Sequence, residues 1–71
     1  MPNLGEDRVR YSFNPSGDPQ VSQIKRLASD LINLCEALKA REGRCAALAQ
    51  TAFEEGAMWA VKAATAEPRS A

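Results

Sequence analysis

Arg8, Arg10, Tyr11 and Phe13, with Lys25 and Arg26 further along, are the side chains of this sequence best equipped for chemistry. Together they form a small nucleotide-binding kit. An aromatic face stacks on a nucleobase for roughly 1 to 3 kcal/mol, while cations and the free amides of a helix start satisfy phosphate oxygens. A structural reading competes with this one: Tyr11 and Phe13 anchor the amino-terminal segment, and Arg26 pairs with Asp30 one turn on. Phe13 is the expected anchor because it lacks a polar tip, and Tyr11 is the expected stacker. Lys25 and Arg26 project about 100° apart on a helix, so one can face a ligand while the other faces solvent, and the sequence leaves that choice open.

Other chemistry finds little support. The chain has no histidine, and neither Cys35 nor Cys45 lies beside a recognisable base, so nucleophilic and acid–base catalysis are not expected. Glu54 and Glu55 point about 100° apart on a helix and do not converge on one bond. They read as a solvated pair, or as a pair with one carboxylate turned to a neighbouring chain. No set of Cys, Asp and Glu has zinc or EF-hand spacing, and no cofactor is expected. The formal net charge is zero, which argues against a broad basic field for DNA or RNA. The first residues lack the order of a signal peptide, and no apolar run approaches the roughly 20 residues of a membrane span, so a soluble intracellular protein is expected.

These side chains need elements to hold them. Residues 1–17 contain Pro2, Gly5, Pro15 and Gly17 without a sustained helical period and read as an irregular arm. Asp18 before Pro19 is a helix start: the carboxylate accepts a free amide proton, and proline at the first position sacrifices no hydrogen bond. Val21, Ile24, Leu27, Ala28, Leu31, Leu34, Cys35 and Leu38 then recur at spacings of three and four, predicting one apolar stripe on a helix over residues 18–41. Gly43 breaks the pattern after the cations Lys39 and Arg41.

A second helix is predicted over residues 44–64, with Cys45, Leu48, Ala49, Ala52, Gly56, Trp59, Ala60 and Ala63 toward the first. Trp59 is expected in the core. Gly56 is expected to serve close backbone approach or to make room for Trp59. Ala47, Phe53, Ala57, Met58 and Val61 fall outside that stripe, so this helix is apolar on more than one side. Residues 67–71 read as a frayed tail. A chain of 71 residues, 45% of them hydrophobic, has a thin core, and association is the expected remedy. The two cysteines, at heights differing by roughly 7 Å across the turn, are expected to be reduced and to pack as small apolar groups.

The pattern Tyr11-x-Phe13-Asn14-Pro15, the long first helix, Gly43-Arg44, Leu48-Ala49-x-Thr51, Glu54-Glu55 and Met58-Trp59-Ala60 closely resembles a known family. It is similar to the helical-hairpin sponges that phages use against CBASS defence, a hairpin shared with anti-Thoeris sponges. The likeness covers roughly residues 10–64 and is most specific from Leu48 to Ala60. The chain departs from it with Asn14 where a histidine is expected and Gly56 where alanine is common.

The resemblance implies an all-α antiparallel hairpin with an irregular arm, assembled as a compact homo-oligomer, a hexamer. It implies a non-enzymatic protein in the cytoplasm of the infected host that binds cyclic dinucleotides, cyclic GMP-AMP among them, without cleaving them. Tyr11 would stack on a base, and Lys25 or Arg26 would contact phosphate. Arg10 belongs to the same set, with Arg8 and Asn14 at its margin. A separate pocket among protomers would take cyclic trinucleotides, with Thr51 as its candidate residue. Two rival readings are an oligomeric interaction module that docks a protein through Phe53, Met58 and Val61, and a small DNA-binding regulator. The neutral charge and the lack of a short turn between two brief helices disfavour the second rival.

Overall fold

The computed structural model describes residues 3–66. It contains three helices, α1 (Leu4–Val9), α2 (Pro19–Leu38) and α3 (Gly43–Thr65), and no strand among the described residues. The predicted tail over residues 67–71 lies outside the described residues. None of the described helices is long and apolar enough to cross a membrane.

The first departure from the sequence reading is α1, which forms inside the segment read as irregular. Its start is a capping box. The Asn3 side chain accepts from the Glu6 amide at 2.9 Å, and the Glu6 carboxylate accepts from the Asn3 amide at 3.2 Å. Arg10 closes the helix in the left-handed conformation (φ 53°). There the Tyr11 amide reaches Glu6 O at 2.9 Å and the Arg10 amide reaches Asp7 O at 3.2 Å. Six residues are too few to hold a helix in water, so α1 depends on docking. Gly5 permits it: a Cβ there would sit 2.2 Å from Ser29 O of α2, and the Gly5 amide donates to Asn33 Oδ1 at 2.8 Å. Ser29 is fully buried at this approach, with its hydroxyl unpartnered among the described residues.

Asp18 caps α2, accepting from the Gln20 amide at 2.8 Å, with Pro19 as the first helical residue. Glu42 caps α3 by accepting from the Cys45 amide. The two long helices run antiparallel, since Ala28 shares a cluster with Ala57 while Gln50 reaches Ile32 and Glu36. The Cα trace is only 12 Å thick in its thinnest direction, little more than one helix diameter. A single layer gives each long helix an inner edge and broad open faces.

The inner seam differs from the predicted one. On α2 it follows Val21, Lys25, Ala28, Ile32 and Cys35, and Ile32 is completely buried. Leu27, Leu31, Leu34 and Leu38, assigned to that stripe from sequence, are exposed on a second one. On α3 the seam is Ala46, Gln50 and Ala57, with Phe53 partly buried against the core. Leu48 and Cys45 face outward, as does Trp59 at 60% exposure. Among the described residues Gly56 has nothing within 4 Å of a Cβ placed on it, so close approach belongs to Gly5 instead. The physical reason is the polar anchor. The Gln50 amide donates to Ile32 O at 3.0 Å and to Glu36 Oε1 at 3.2 Å, and this orients α3 with small residues inward. Cys35 is buried and Cys45 exposed, and both are free thiols.

Candidate functional site

Consecutive positions on α2 send Lys25 and Arg26 to opposite sides of the arm. Lys25 points inward and is only 7% exposed. Its Nζ donates to Arg10 O at 2.9 Å and to Phe13 O, and lies 5.6 Å from the Phe13 ring centre. Burial first, and then the nearby Arg10 charge, lower its pKa from the usual lysine value.

Arg26 points outward. Its guanidinium donates to Glu6 Oε2 at 2.9 Å, lies 3.8 Å from Asp30 Oδ1, and covers the Tyr11 ring with Cζ 4.1 Å from the ring centre. Tyr11 and then Glu6 raise its proton affinity further. A cation over an aromatic face at this distance is a favourable stack. Tyr11 packs partly buried against Val9, Ala28, Ile32 and Ala57, whereas Phe13 is 61% exposed. The aromatic roles expected from sequence are therefore exchanged as regards anchoring: Tyr11 holds the arm to the core. The polar tip that counted against Tyr11 is no obstacle, because only part of the ring is buried.

A groove of about 610 Å³ runs between the arm and α3, lined by Arg8, Val9, Arg10, Lys25, Glu54, Ala57, Met58 and Val61. Its apolar residues come from both α1 and α3, and its cations come from the arm and α2. Arg8 Nε donates to Glu54 Oε1 at 2.8 Å, and its Nη2 reaches Thr51 Oγ1 at 3.5 Å. Glu54 thus pairs with Arg8 of its own chain. The Arg10 guanidinium has no ion pair or hydrogen bond among the described residues, whereas Arg8 and Lys25 are both engaged, so within the groove it is the cation readiest for an anion. Asn14 sits apart. Its amide donates to Asp18 O at 3.1 Å and Ser22 Oγ at 3.0 Å, fixing the turn that leads into α2.

The fold therefore brings Arg8, Arg10 and Lys25 around one groove, leaves Thr51 outside its lining but within 3.5 Å of the Arg8 guanidinium, and places Tyr11 with Arg26 on the adjoining surface of the arm. Asn14 belongs to the turn. Sequence reasoning missed Glu6, which holds Arg26, and the groove partner Glu54. The signal for the first was present in Asn3-Leu4-Gly5-Glu6, a capping-box spacing that marks α1. Nothing local marked the second, because an arginine in α1 and a glutamate in α3 meet only through tertiary structure. Chemically the arrangement offers stacking, cations and apolar surface, the means of non-covalent capture of a planar anion.

Comparison with known proteins agrees with that chemistry. The family model described as Acb2/Tad1, hairpin domain, matches residues 5–65. No curated protein and no solved structure matches the chain. The matched span takes in Gly5 at the α1–α2 contact, the arm with Tyr11, the groove and both long helices. The chain belongs to the Acb2/Tad1 hairpin family, a family of cyclic-nucleotide sponges.

Proposed function

We propose that this chain is a phage-encoded inhibitor of bacterial CBASS immunity that binds cyclic dinucleotide second messengers in the host cytoplasm and withholds them, uncleaved, from the effector they activate. The family match over residues 5–65 carries this reading, and the Tyr11–Arg26 pair supports it. Tyr11 stacks on a base, and Arg26 and Arg10 meet the phosphates. Arg8 lines the same groove with its charge matched by Glu54.

The protomers form a compact hexamer, and the exposed leucines of α2 support association. A cyclic dinucleotide is close to two-fold symmetric, so a two-fold seam between copies offers each base one Tyr11 and each phosphate one cation. A separate pocket containing Thr51 takes cyclic trinucleotides.

The energetics set a demand on the site. Roughly nanomolar capture requires about 12 kcal/mol, and two stacked bases supply only about 2 to 6. Charge-assisted hydrogen bonds from the arginines and burial by the arm supply the remainder. Arg26 must then exchange Glu6 for phosphate, a trade between two anions that keeps the guanidinium paired throughout.

The test is a depletion and release assay. Cyclic GMP-AMP incubated with the protein should vanish from the filtrate after ultrafiltration and return intact when the protein is heated. Degraded nucleotide would mark an enzyme, and an unchanged filtrate would rule out capture of that ligand.

A further inference from the structure

Lys25 and Arg26 grip the same short arc of the arm by different means. Arg26 lies against the Tyr11 ring, whereas Lys25 reaches beneath the arc to the backbone carbonyls of Arg10 and Phe13, which bracket Tyr11. Arg10 is the left-handed residue at which the chain leaves α1, a conformation unfavourable for an ordinary side chain. Arg10 O already accepts the Phe13 amide at 2.9 Å, which closes the turn, and the buried ammonium, with no carboxylate partner among the described residues, adds a second donor there and takes Phe13 O as its other acceptor. The ammonium thus ties both ends of that turn to α2. Two of the three ammonium donors are thereby engaged with backbone.

We infer that Lys25 is a positioning residue: it clamps the arc from Arg10 to Phe13 so that the Tyr11 ring is already set when the ligand arrives, and it is not itself the phosphate contact. This rests on the sponge reading for its purpose but not for its geometry. Holding the arc in advance removes an ordering cost from binding. Loss of the clamp leaves the hairpin folded, because the α2–α3 seam continues through Ala28, Ile32 and Gln50.

The chain has one tyrosine and one tryptophan, so each ring reports on one place. In ligand-free Lys25→Met the Tyr11 ring resonances should move to the averaged positions of a mobile tyrosine, while far-UV circular dichroism and the Trp59 resonances stay put. Affinity for cyclic GMP-AMP should fall at least about tenfold. Unmoved Tyr11 resonances would overturn the clamp, whatever happens to affinity.

Should the variant fail to fold, the wild-type chain with ¹⁵N-labelled lysine decides. The Lys25 ammonium signal should be protected from water before ligand is added and keep its carbonyl partners afterwards. Transfer of that signal to a phosphate, seen as a coupling to phosphorus, would make Lys25 a ligand contact and end the proposal. A wild-type protein that ignores cyclic GMP-AMP would defeat the sponge reading for that ligand, and the Tyr11 resonances would still judge the clamp.

Discussion

The two stripes of α2 are made of different materials. The stripe turned toward α3 and the arm carries Val21, Lys25, Ala28, Ile32 and Cys35, and it meets Ala46, Gln50 and Ala57 across the seam. The stripe turned outward carries Leu27, Leu31, Leu34 and Leu38, each more than 40% exposed. The inner seam is thus narrow and partly polar, held by Gln50 and Lys25 hydrogen bonds to backbone, while the larger apolar surface lies outside. Burial of a leucine stabilises by roughly 1.5 to 3 kcal/mol, so most of the helix's unused driving force lies on the outer stripe. Its spacing of four, three and four residues is that of a coiled-coil seam. The contrast teaches that intramolecular packing here fixes geometry and leaves the larger apolar face uncovered, open to the proposed association.

The largest effect is expected from breaking the outer stripe. Leu31→Glu combined with Leu34→Glu should dissociate the proposed assembly, since each change removes up to about 1.5 to 3 kcal/mol of burial and introduces a charge. Light scattering should report a monomer, and the protomer should keep its Gln50 bonds at high concentration. An unchanged oligomer would show that association uses another face.

A change confined to the inner packing sharpens the comparison. Gly5→Val puts a side chain where Ser29 O is 2.2 Å and Asn33 Oδ1 is 2.8 Å away, forcing α1 off α2 at a cost of about 1 to 3 kcal/mol. Hydrogen exchange should speed up over Leu4–Val9 while amides of α2 and α3 remain protected. Equal deprotection of all three helices would mean that the docking of α1 is inseparable from the hairpin.

The smallest expected effect comes from acid. Glu6 is held below its ordinary pKa of 4.5 first by the Asn3 amide and then by Arg26. Glu36 is lowered first by Lys39 and then by Gln50, and Glu42 by the Cys45 amide. For carboxylates lowered in the folded state, the stabilisation is complete above the unfolded value and disappears as pH falls through the folded one. Urea unfolding curves should therefore be flat from neutral pH to about 5 and shift to lower midpoints below 4.5. A midpoint that rises on acidification would reverse the sign and discredit these contacts.

Much of the fold is legible because the signals are local. Asp18-Pro19 states a helix start, Gly43 marks the reversal, and spacings of three and four identify helices on either side. The choice of inner stripe is not legible. Both stripes of α2 recur at helical spacing, and reading charge as solvent exposure removes Lys25 from consideration and hides Ile32 beside it. Gln50 misleads in the same way on α3, where a polar side chain is the most tightly bonded member of the seam. The cationic and aromatic side chains of the candidate site are legible by type, but their division into a buried clamp and an exposed stack is not.

By itself the sequence determined an all-helical chain with two long helices, no histidine, balanced charge and a family likeness through Leu48–Ala60. These follow from periodicity, caps and composition, which depend on neighbours within a few turns. Tertiary structure decided that α1 folds, that Tyr11 anchors the arm, that Lys25 turns inward while Arg26 turns outward, and that four leucines are left uncovered. Those outcomes depend on which of two apolar edges wins the partner helix. Two hydrogen bonds from Gln50 and a glycine-sized gap at Gly5, each made across the fold, settle that competition.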